Sequence, residues 1–309
     1  MCSMCSVHSA VSGEVLAVVE DYEGKTAREM KRILAAKLGI TRFRQRIMLD
    51  NSELQDDTTL GEMAKVQLLL LEFCEPDMEE DKRMLAASMP PAVLETLLLR
   101  PRDPNVRDPQ GETPLHRRAF NGHAQAMRLL LEASATVDAR DARTQGWTPM
   151  LLAAYKGHAE CVGLLIEAGA NPDLTTLEGG SAPLHMAARS GHVEVVRLLI
   201  AAGVDRDKAK SDGGATPLHM AAEKGHVSVV HLLIAAGVDV NKKKEDGATP
   251  LDSVAWKCKN EAAKLQVAHL LIEAGVVIVK PVPRRFALYG AALLNQHDLQ
   301  AELSPQSQR

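Results

Sequence analysis

Histidine side chains are the groups of this sequence best suited to hold a metal ion or to move a proton. Of the 11 histidines, seven recur at regular positions in the middle of the chain: His116, His123, His158, His185, His192, His219 and His226. The other four are dispersed, and no His-x-x-x-His pair of the kind that binds zinc occurs. The regular positions suit hydrogen bonds to turn backbone, so we interpret these histidines as structural and expect no metal site.

Cysteine is the second candidate for chemistry. Cys2-x-x-Cys5 has the spacing of a metal or redox motif, but such a motif needs a suitable context, and no second Cys pair occurs among the five cysteines. The sequence also lacks a Gly-rich phosphate loop and a Gly-x-Ser-x-Gly nucleophile elbow. We therefore expect no catalytic, cofactor-binding or metal-binding residues, and no enzymatic activity. The odd number of scattered cysteines is typical of reduced thiols, which predicts a cytoplasmic protein, with the nucleus as the alternative.

Composition excludes further classes of protein. The net charge of −4 gives no global basic field for nucleic acid. No apolar run approaches the roughly 18 residues of a membrane-spanning helix, so we expect no membrane insertion. The start MCSMCSVHSA lacks the basic and apolar regions of a secretory signal, and none is expected. Aromatic residues make up only 3%, which predicts a core of aliphatic and small side chains at close backbone spacing.

A repeated pattern fills the middle of the chain. Its segments begin at Thr113, Thr148, Ala182, Thr216 and Thr249, which are 35, 34, 34 and 33 residues apart. Each begins with Thr-Pro or Ala-Pro, which suits a helix start, and the first four continue into small residues and a Gly-His turn. A Leu-rich second helix follows, and a glycine suits its end.

This pattern resembles the ankyrin repeat, a helix pair that buries its apolar face only by stacking on its neighbours. The resemblance implies an array over residues 77–280 with about six repeats. The first, near 79–110, and the last, with a five-residue insertion around 257–264, are divergent. Some residues depart from the pattern: Arg118 stands where Ala is expected, Leu151 replaces the usual His, and Ser134 stands where Gly is expected, at a cost of about 1 kcal/mol.

The first 76 residues form a different predicted domain. Strands are predicted around Ser3–Val7, at 15–19, at 45–49 and at 67–73, with a hairpin connection at 9–13 and a turn at Asp50-Asn51. Thr26 is predicted to cap a helix over 27–38, which Gly39 ends. The order strand, strand, helix, strand, strand and the stretch Arg44-Gln-Arg-Ile-Met-Leu-Asp-Asn-Ser-Glu-Leu54 resemble the ubiquitin β-grasp.

The ubiquitin-like resemblance implies a docking surface centred on Met48, at the position of the family's central apolar contact. An ordinary half-exposed strand residue is the alternative reading of Met48. The sequence runs on into the repeats without a Gly-Gly tail, so we expect no conjugation. Lys25–Arg46 holds eight basic residues and one acidic residue, whereas Asp50–Asp81 holds eleven acidic and one basic. We expect the two surfaces to neutralise each other within or beside the domain, and a functional basic patch is the alternative.

The ankyrin resemblance places protein clients on the concave face of first helices and on the fingertips. Within that face we expect Trp147 and Tyr155 to matter most, because rings are scarce in the repeats and aromatic residues often anchor interfaces. The predicted protein-binding residues are Phe120, Trp147, Leu152, Tyr155, Lys156, Met186, Arg189, Met220, Glu223, Lys224 and, in the N-terminal domain, Met48. Basic fingertip residues, including Lys210 and Lys244, are expected to contribute.

The predicted fold class is α+β multidomain: a small ubiquitin-like β-grasp domain followed by an all-α ankyrin-repeat solenoid with β-hairpin fingers. Residues 281–309 are expected to form a capping helix, with Phe286, Tyr289 and Leu293 on one face, and a tail. We expect a monomeric, non-catalytic adaptor whose array binds a protein client. Its N-terminal domain would dock a second partner, with the ubiquitin–proteasome machinery as one candidate pathway. The alternative is a generic ankyrin scaffold in signalling or cytoskeletal attachment, with the N-terminal domain as a structural cap.

Overall fold

A computed structural model describes residues 4–9, 15–20, 25–39, 42–49, 52–60, 65–70, 78–86, 89–99, 102–142 and 146–277. The chain divides into two compact units, Met1–Asp141 and Ala142–Arg309. The first unit contains the strand region and the first helix pairs, and the second contains the remaining helix pairs. The predicted hairpin connection, the Asp50-Asn51 turn and the predicted tail helix fall largely or wholly outside the described residues.

One five-stranded sheet opens the first unit. Its strands are β1 (Met4–Ser9), β2 (Val15–Glu20), β3 (Gln45–Leu49), β4 (Ser52–Glu53) and β5 (Lys65–Leu70). Their order in the sheet is β2-β1-β5-β3-β4. β1 and β5 run parallel at the centre, and the other neighbouring pairs are antiparallel. The expected strands at 15–19 and 45–49 are confirmed, and the last one begins two residues earlier than expected.

Helix α1 (Ala27–Leu38) has the predicted bounds and the predicted cap. The Thr26 hydroxyl accepts a hydrogen bond from the backbone N–H of Glu29, whose carboxylate accepts one from the Thr26 N–H in return. Gly39 ends the helix with a left-handed backbone at φ 68°. The buried face of α1 packs on the sheet through an apolar core whose members are Val7, Val19, Ala27, Met30, Leu34, Ile47, Leu60, Val66 and Leu68.

Twelve helices follow α1 in the described residues. In the first unit they are α2 (Met78–Leu85), α3 (Pro91–Leu99), α4 (Pro114–Asn121) and α5 (Ala124–Glu132). In the second unit the first helices of the pairs are α6 (Pro149–Lys156), α8 (Pro183–Ser190), α10 (Pro217–Lys224) and α12 (Pro250–Lys257). Their second helices are α7 (Ala159–Glu167), α9 (Val193–Ala201), α11 (Val227–Ala235) and α13 (Glu261–Glu273). No described helix is long and apolar enough to cross a membrane.

Buried histidines join neighbouring pairs in the second unit. The Nδ1 atom of His219 accepts a hydrogen bond from the backbone N–H of Thr216 at 3.2 Å. Nε2 therefore carries the proton, and it lies 3.2 Å from the carbonyl oxygen of Ala248, at the start of the next pair. His185 makes the same two contacts, with the N–H of Ala182 and the carbonyl of Ala215. The structural interpretation of these histidines agrees with their hydrogen bonds.

The histidines of the Gly-His turns make a second kind of hydrogen bond between neighbouring helix pairs. Nε2 of His192 lies 3.0 Å from the carbonyl oxygen of Tyr155 in the preceding pair. This approach requires a glycine below the ring, because a Cβ at Gly157 would lie 2.5 Å from the His192 Nδ1 atom. The last pair has no such histidine, and the Sγ atom of Cys258 occupies the equivalent space above Gly225.

Arg118, which stands where Ala is expected, is fully buried in the first unit. Its guanidinium donates hydrogen bonds to the carbonyl oxygens of Met84 and Ala86, at the carboxyl end of α2. Helix ends leave carbonyl groups without partners inside the helix. The arginine therefore serves as a cap for the divergent first pair, which explains the departure from the pattern.

Ser134 closes α5 with a left-handed backbone at φ 65°, where the equivalent positions hold Gly169, Gly203 and Gly237. A non-glycine residue in this conformation is strained by contact between Cβ and the backbone. We predict that Ser134→Gly raises the free energy of unfolding of the first unit by about 0.5–1 kcal/mol. Urea titration of the full chain measures this change. Ser134→Ala, which retains Cβ, should give no gain, and an equal gain from both variants would contradict the strain argument.

Burial lowers the pKa of His185 and that of His219 to about 4, from an ordinary value of 6.5. Between pH 6.5 and pH 4 these two histidines are protonated in the unfolded chain but neutral in the folded chain. The free energy of unfolding therefore falls as the pH falls from 6.5 to 4. We expect each histidine to contribute up to about 3 kcal/mol to this loss. Urea midpoints measured across this range should fall less steeply in a His185→Gln/His219→Gln variant.

The matched control for this prediction is His231→Gln, which changes a histidine exposed on α11. Its profile should keep the wild-type slope. Identical slopes in the double variant and the wild type would contradict the assignment of the pH dependence to His185 and His219.

Candidate protein-binding face

The first helices of the second unit stand side by side in the order α6, α8, α10 and α12. Because each begins at the same point of the repeated pattern, equivalent residues recur at matching places on adjacent helices. We call the exposed surface of these four helices the first-helix face. The second helices form a separate row in which α7, α9, α11 and α13 are neighbours.

The structure places nine of the predicted binding residues in this unit, on or beside the face. Leu152, Met186, Met220 and Glu223 are half-buried, and Tyr155, Lys156, Arg189 and Lys224 are exposed. Trp147, half-buried, immediately precedes Thr148 at the start of α6. Phe120 is exposed on α4 of the first unit, and Met48 is half-buried on β3 of the sheet. That any of these residues binds a partner stays a prediction.

Trp147 and Tyr155 form one aromatic cluster. Their ring centroids lie 5.8 Å apart with planes inclined by 69°, the edge-to-face arrangement that aromatic pairs favour. The Lys156 Nζ atom lies 5.3 Å from the centroid of the Tyr155 ring, within range of a cation–π contact. Tyr155 nevertheless keeps 42% of its surface exposed. A ring held in place and open to solvent suits an interface anchor, because little entropy remains to be lost on binding.

Trp256 is a second exposed aromatic residue on this face, and sequence reasoning missed it. It lies on α12 at the position equivalent to Tyr155 on α6, and 62% of its surface is exposed. The last pair lacks the Gly-His turn that aligns the other repeats with one another, so the equivalence of Trp256 and Tyr155 was not recognised. Counting from Thr249 would have found it, since Trp256 follows that residue by the same seven positions that separate Tyr155 from Thr148.

Positive charge occupies the middle of the face. Arg189 on α8 and Lys224 on α10 are exposed, and neither has a carboxylate within ion-pair distance among the described residues. Glu223, beside Lys224, pairs with Lys257 of α12 at 3.2 Å. The one carboxylate on the last turns of these helices is thus neutralised, and the cations at the centre are left for a partner.

The fingertips carry charges of both signs. Lys210 and Lys244, expected to project as basic fingertip residues, are largely buried and pair with Asp212 at 2.8 Å and Asp246 at 3.7 Å. The aspartates themselves are mostly exposed, and Glu178 occupies the equivalent exposed position one repeat earlier. Lys243 is exposed beside them, so the described fingertip surface of this unit is mixed in charge, whereas the centre of the first-helix face is basic.

No group of three or more His, Cys, Asp or Glu side chains suited to a metal ion occurs within the described ranges. Cys161 and Cys258 are free and buried. Burial raises the pKa of Cys161 to about 11, which keeps its thiol protonated and unreactive near neutral pH.

Comparison with curated proteins gives no significant match. Comparison with protein families matches the model described as ankyrin repeats (3 copies) to residues 83–176 and 184–281, which together exceed half of the chain. The helix pairs, their Thr-Pro starts and their stacking agree with this match. Ankyrin repeats support a role in protein–protein interaction. The chain belongs to the ankyrin-repeat family.

Proposed function

We propose that this protein is a non-catalytic interaction module whose ankyrin array binds a protein client on the first-helix face. The observation that carries the proposal is the row Tyr155, Arg189, Glu223 and Trp256, at one equivalent position on four adjacent helices, of which all but the half-buried Glu223 are exposed. Aromatic and arginine residues supply most interface hot spots, and this row concentrates them in a repeat array that is otherwise poor in rings.

The sheet and α1 are proposed to form a ubiquitin-like β-grasp domain that docks a second partner. Support comes from the order of the five strands, the parallel central pair and the capped helix packed on one face. Met48 is half-buried and pairs with Gln67 of β5 and Glu53 of β4, so its side chain lies on the sheet face opposite the core. A partner from the ubiquitin–proteasome machinery is the specific form of this proposal.

A structural cap is the second candidate function of the N-terminal domain, and an ion-pair network favours it. Arg42, only 2% exposed at its side chain, pairs with Glu132 at 2.6 Å, Glu95 at 3.2 Å and Asp56 at 3.8 Å. Glu95 and Glu132 belong to α3 and α5, so the strand region is fixed directly to the first helix pairs. Of these three carboxylates only that of Asp56 belongs to the acidic stretch Asp50–Asp81, and the other two come from the helix pairs.

The Arg42 network gives a prediction with a control on the same carboxylate. Removing one partner from a buried ion pair leaves an uncompensated charge, so Arg42→Ala should lower the free energy of unfolding by about 3 kcal/mol. Arg32 pairs with the same Glu132 at 3.0 Å but is half exposed, and Arg32→Ala should cost less than about 1 kcal/mol. Urea titration of the full chain measures both, and equal effects would contradict a capping role that depends on burial.

We further propose that the protein works as a monomer in the cytoplasm or nucleus. The free, buried thiols of Cys161 and Cys258 support a reducing compartment.

Site-specific photo-crosslinking tests the proposed function with the full chain. Benzoylphenylalanine replaces Tyr155 on the first-helix face, Met48 on the sheet, or Glu194 on the second-helix row as a control. We expect a discrete adduct from position 155 in native lysate and none from position 194. Trp256→Ala should weaken the adduct at 155 about tenfold, because both rings anchor one client.

The outcomes separate the two halves of the proposal. A discrete adduct at position 48, with none at position 194, supports a second partner on the sheet, whereas the absence of an adduct at position 48 supports the structural cap. Equal adduct yields from positions 155 and 194 would contradict the proposal that the first-helix face binds the client. An adduct yield at position 155 that Trp256→Ala leaves unchanged would contradict it too.

A further inference from the structure

We infer that the client segment bound by the first-helix face is an extended acidic stretch with an apolar side chain at each end. The inference rests on the proposed function and names the chemistry of the partner. It follows from the order of groups along the face: an aromatic anchor on α6, unneutralised cations on α8 and α10, and a second aromatic anchor on α12.

The two anchors set the length of the segment. Tyr155 and Trp256 occupy equivalent positions on α6 and α12, three helix intervals apart. Packed helices lie about 8–10 Å apart, so the rings are separated by roughly 24–30 Å. An extended chain advances about 3.3 Å per residue, and it therefore spans this distance with about seven to nine residues. A compact side chain or a single turn of helix cannot reach both anchors.

The cations between the anchors set the charge of the segment. Arg189 and Lys224 are exposed, and the carboxylate of Glu223, the residue before Lys224, is already paired with Lys257 at 3.2 Å. Adding a basic segment would place like charges together without a compensating group, whereas an acidic segment supplies the missing partners. The planar guanidinium of Arg189 can bind a carboxylate through two hydrogen bonds at once.

The fingertips border the path of such a segment. Asp212 and Asp246 project from the fingers beside α10 and α12, where they border an open cleft of about 610 Å³ with Met220 and Glu223 in its wall. Lys210, Lys244 and Lys257 line the same cleft, so its charge is mixed. The groups that favour an acidic chain are therefore the exposed cations of the helix row, Arg189 and Lys224.

Peptide display on the full-length protein tests this inference. A phage library of random peptides of about 16 residues, long enough for both anchors, is selected on the wild type and counter-selected on Arg189→Glu/Lys224→Glu. We expect the enriched peptides to carry a net negative centre and apolar residues separated by seven to nine positions. Binding of a fluorescein-labelled leading peptide is then measured by anisotropy.

For that peptide we expect Kd to rise at least about tenfold in Arg189→Glu/Lys224→Glu and about fivefold in Trp256→Ala. Arg197→Glu makes the same charge reversal on the second-helix row and should leave Kd unchanged, since Arg197 lies on α9. Raising the salt concentration from about 0.05 to about 0.5 M should weaken binding, as for exposed charges.

Different results would contradict the acidic client segment and the first-helix face as the binding site. Enriched peptides that are neutral or basic, or that bind the charge-reversed variant as well as the wild type, overturn the acidic segment, as does a failure to enrich any peptide. If such peptides still lose affinity in Tyr155→Ala and Trp256→Ala, the face remains the binding site. If neither aromatic substitution matters, the proposed function fails as well.

Discussion

The stack of helix pairs depends on hydrogen bonds that cross from one pair to the next. A buried histidine can close such a joint only when it is neutral, with one ring nitrogen accepting and the other donating. His219 meets both demands, because it accepts from the N–H at its own helix start and donates to the carbonyl of Ala248. The joints fix the spacing between adjacent first helices, and the spacing of the exposed groups follows from it.

Buried positions of the repeat make the contacts between neighbouring pairs, whereas the exposed positions can differ in chemistry from one repeat to the next. The Thr-Pro starts, the alanine pairs and the Gly-His turns all face neighbouring pairs, where substitution would disturb stacking. The last turns of α6, α8, α10 and α12 carry side chains at the solvent-facing surface, where one ion pair, Glu223–Lys257, crosses between pairs. Tyr155, Arg189, Glu223 and Trp256 differ in chemistry at one equivalent place along the array.

Local signals in the sequence predict the elements well, because caps and helix ends depend on neighbours close in the chain. Thr26 and Gly39 give the bounds of α1, and the Thr-Pro starts give those of the later first helices. Local sequence signals do not predict a side-chain interaction whose partner lies far away in the sequence. Nothing near Arg42 indicates Glu132, 90 residues away, and nothing near Arg118 indicates the carbonyl groups of α2 that it caps. That the predicted residues bind a partner stays a prediction; among the exposed residues of the first-helix face Trp256 was missed, and the burial of Lys210 and Lys244 was not foreseen.

The contact between Arg42 and Glu132 has a consequence for synthesis of the chain. The arginine leaves the ribosome 90 residues before its carboxylate partner. At a translation rate of about 5–20 residues per second, the delay is on the order of 10 s. During that interval the sheet and α1 must hold together by their own apolar core, and Arg42 lacks the carboxylate of Glu132. The N-terminal domain thus reaches its final stability only when α5 has emerged, and any nascent-chain factor that recognises basic surfaces has that interval in which to bind.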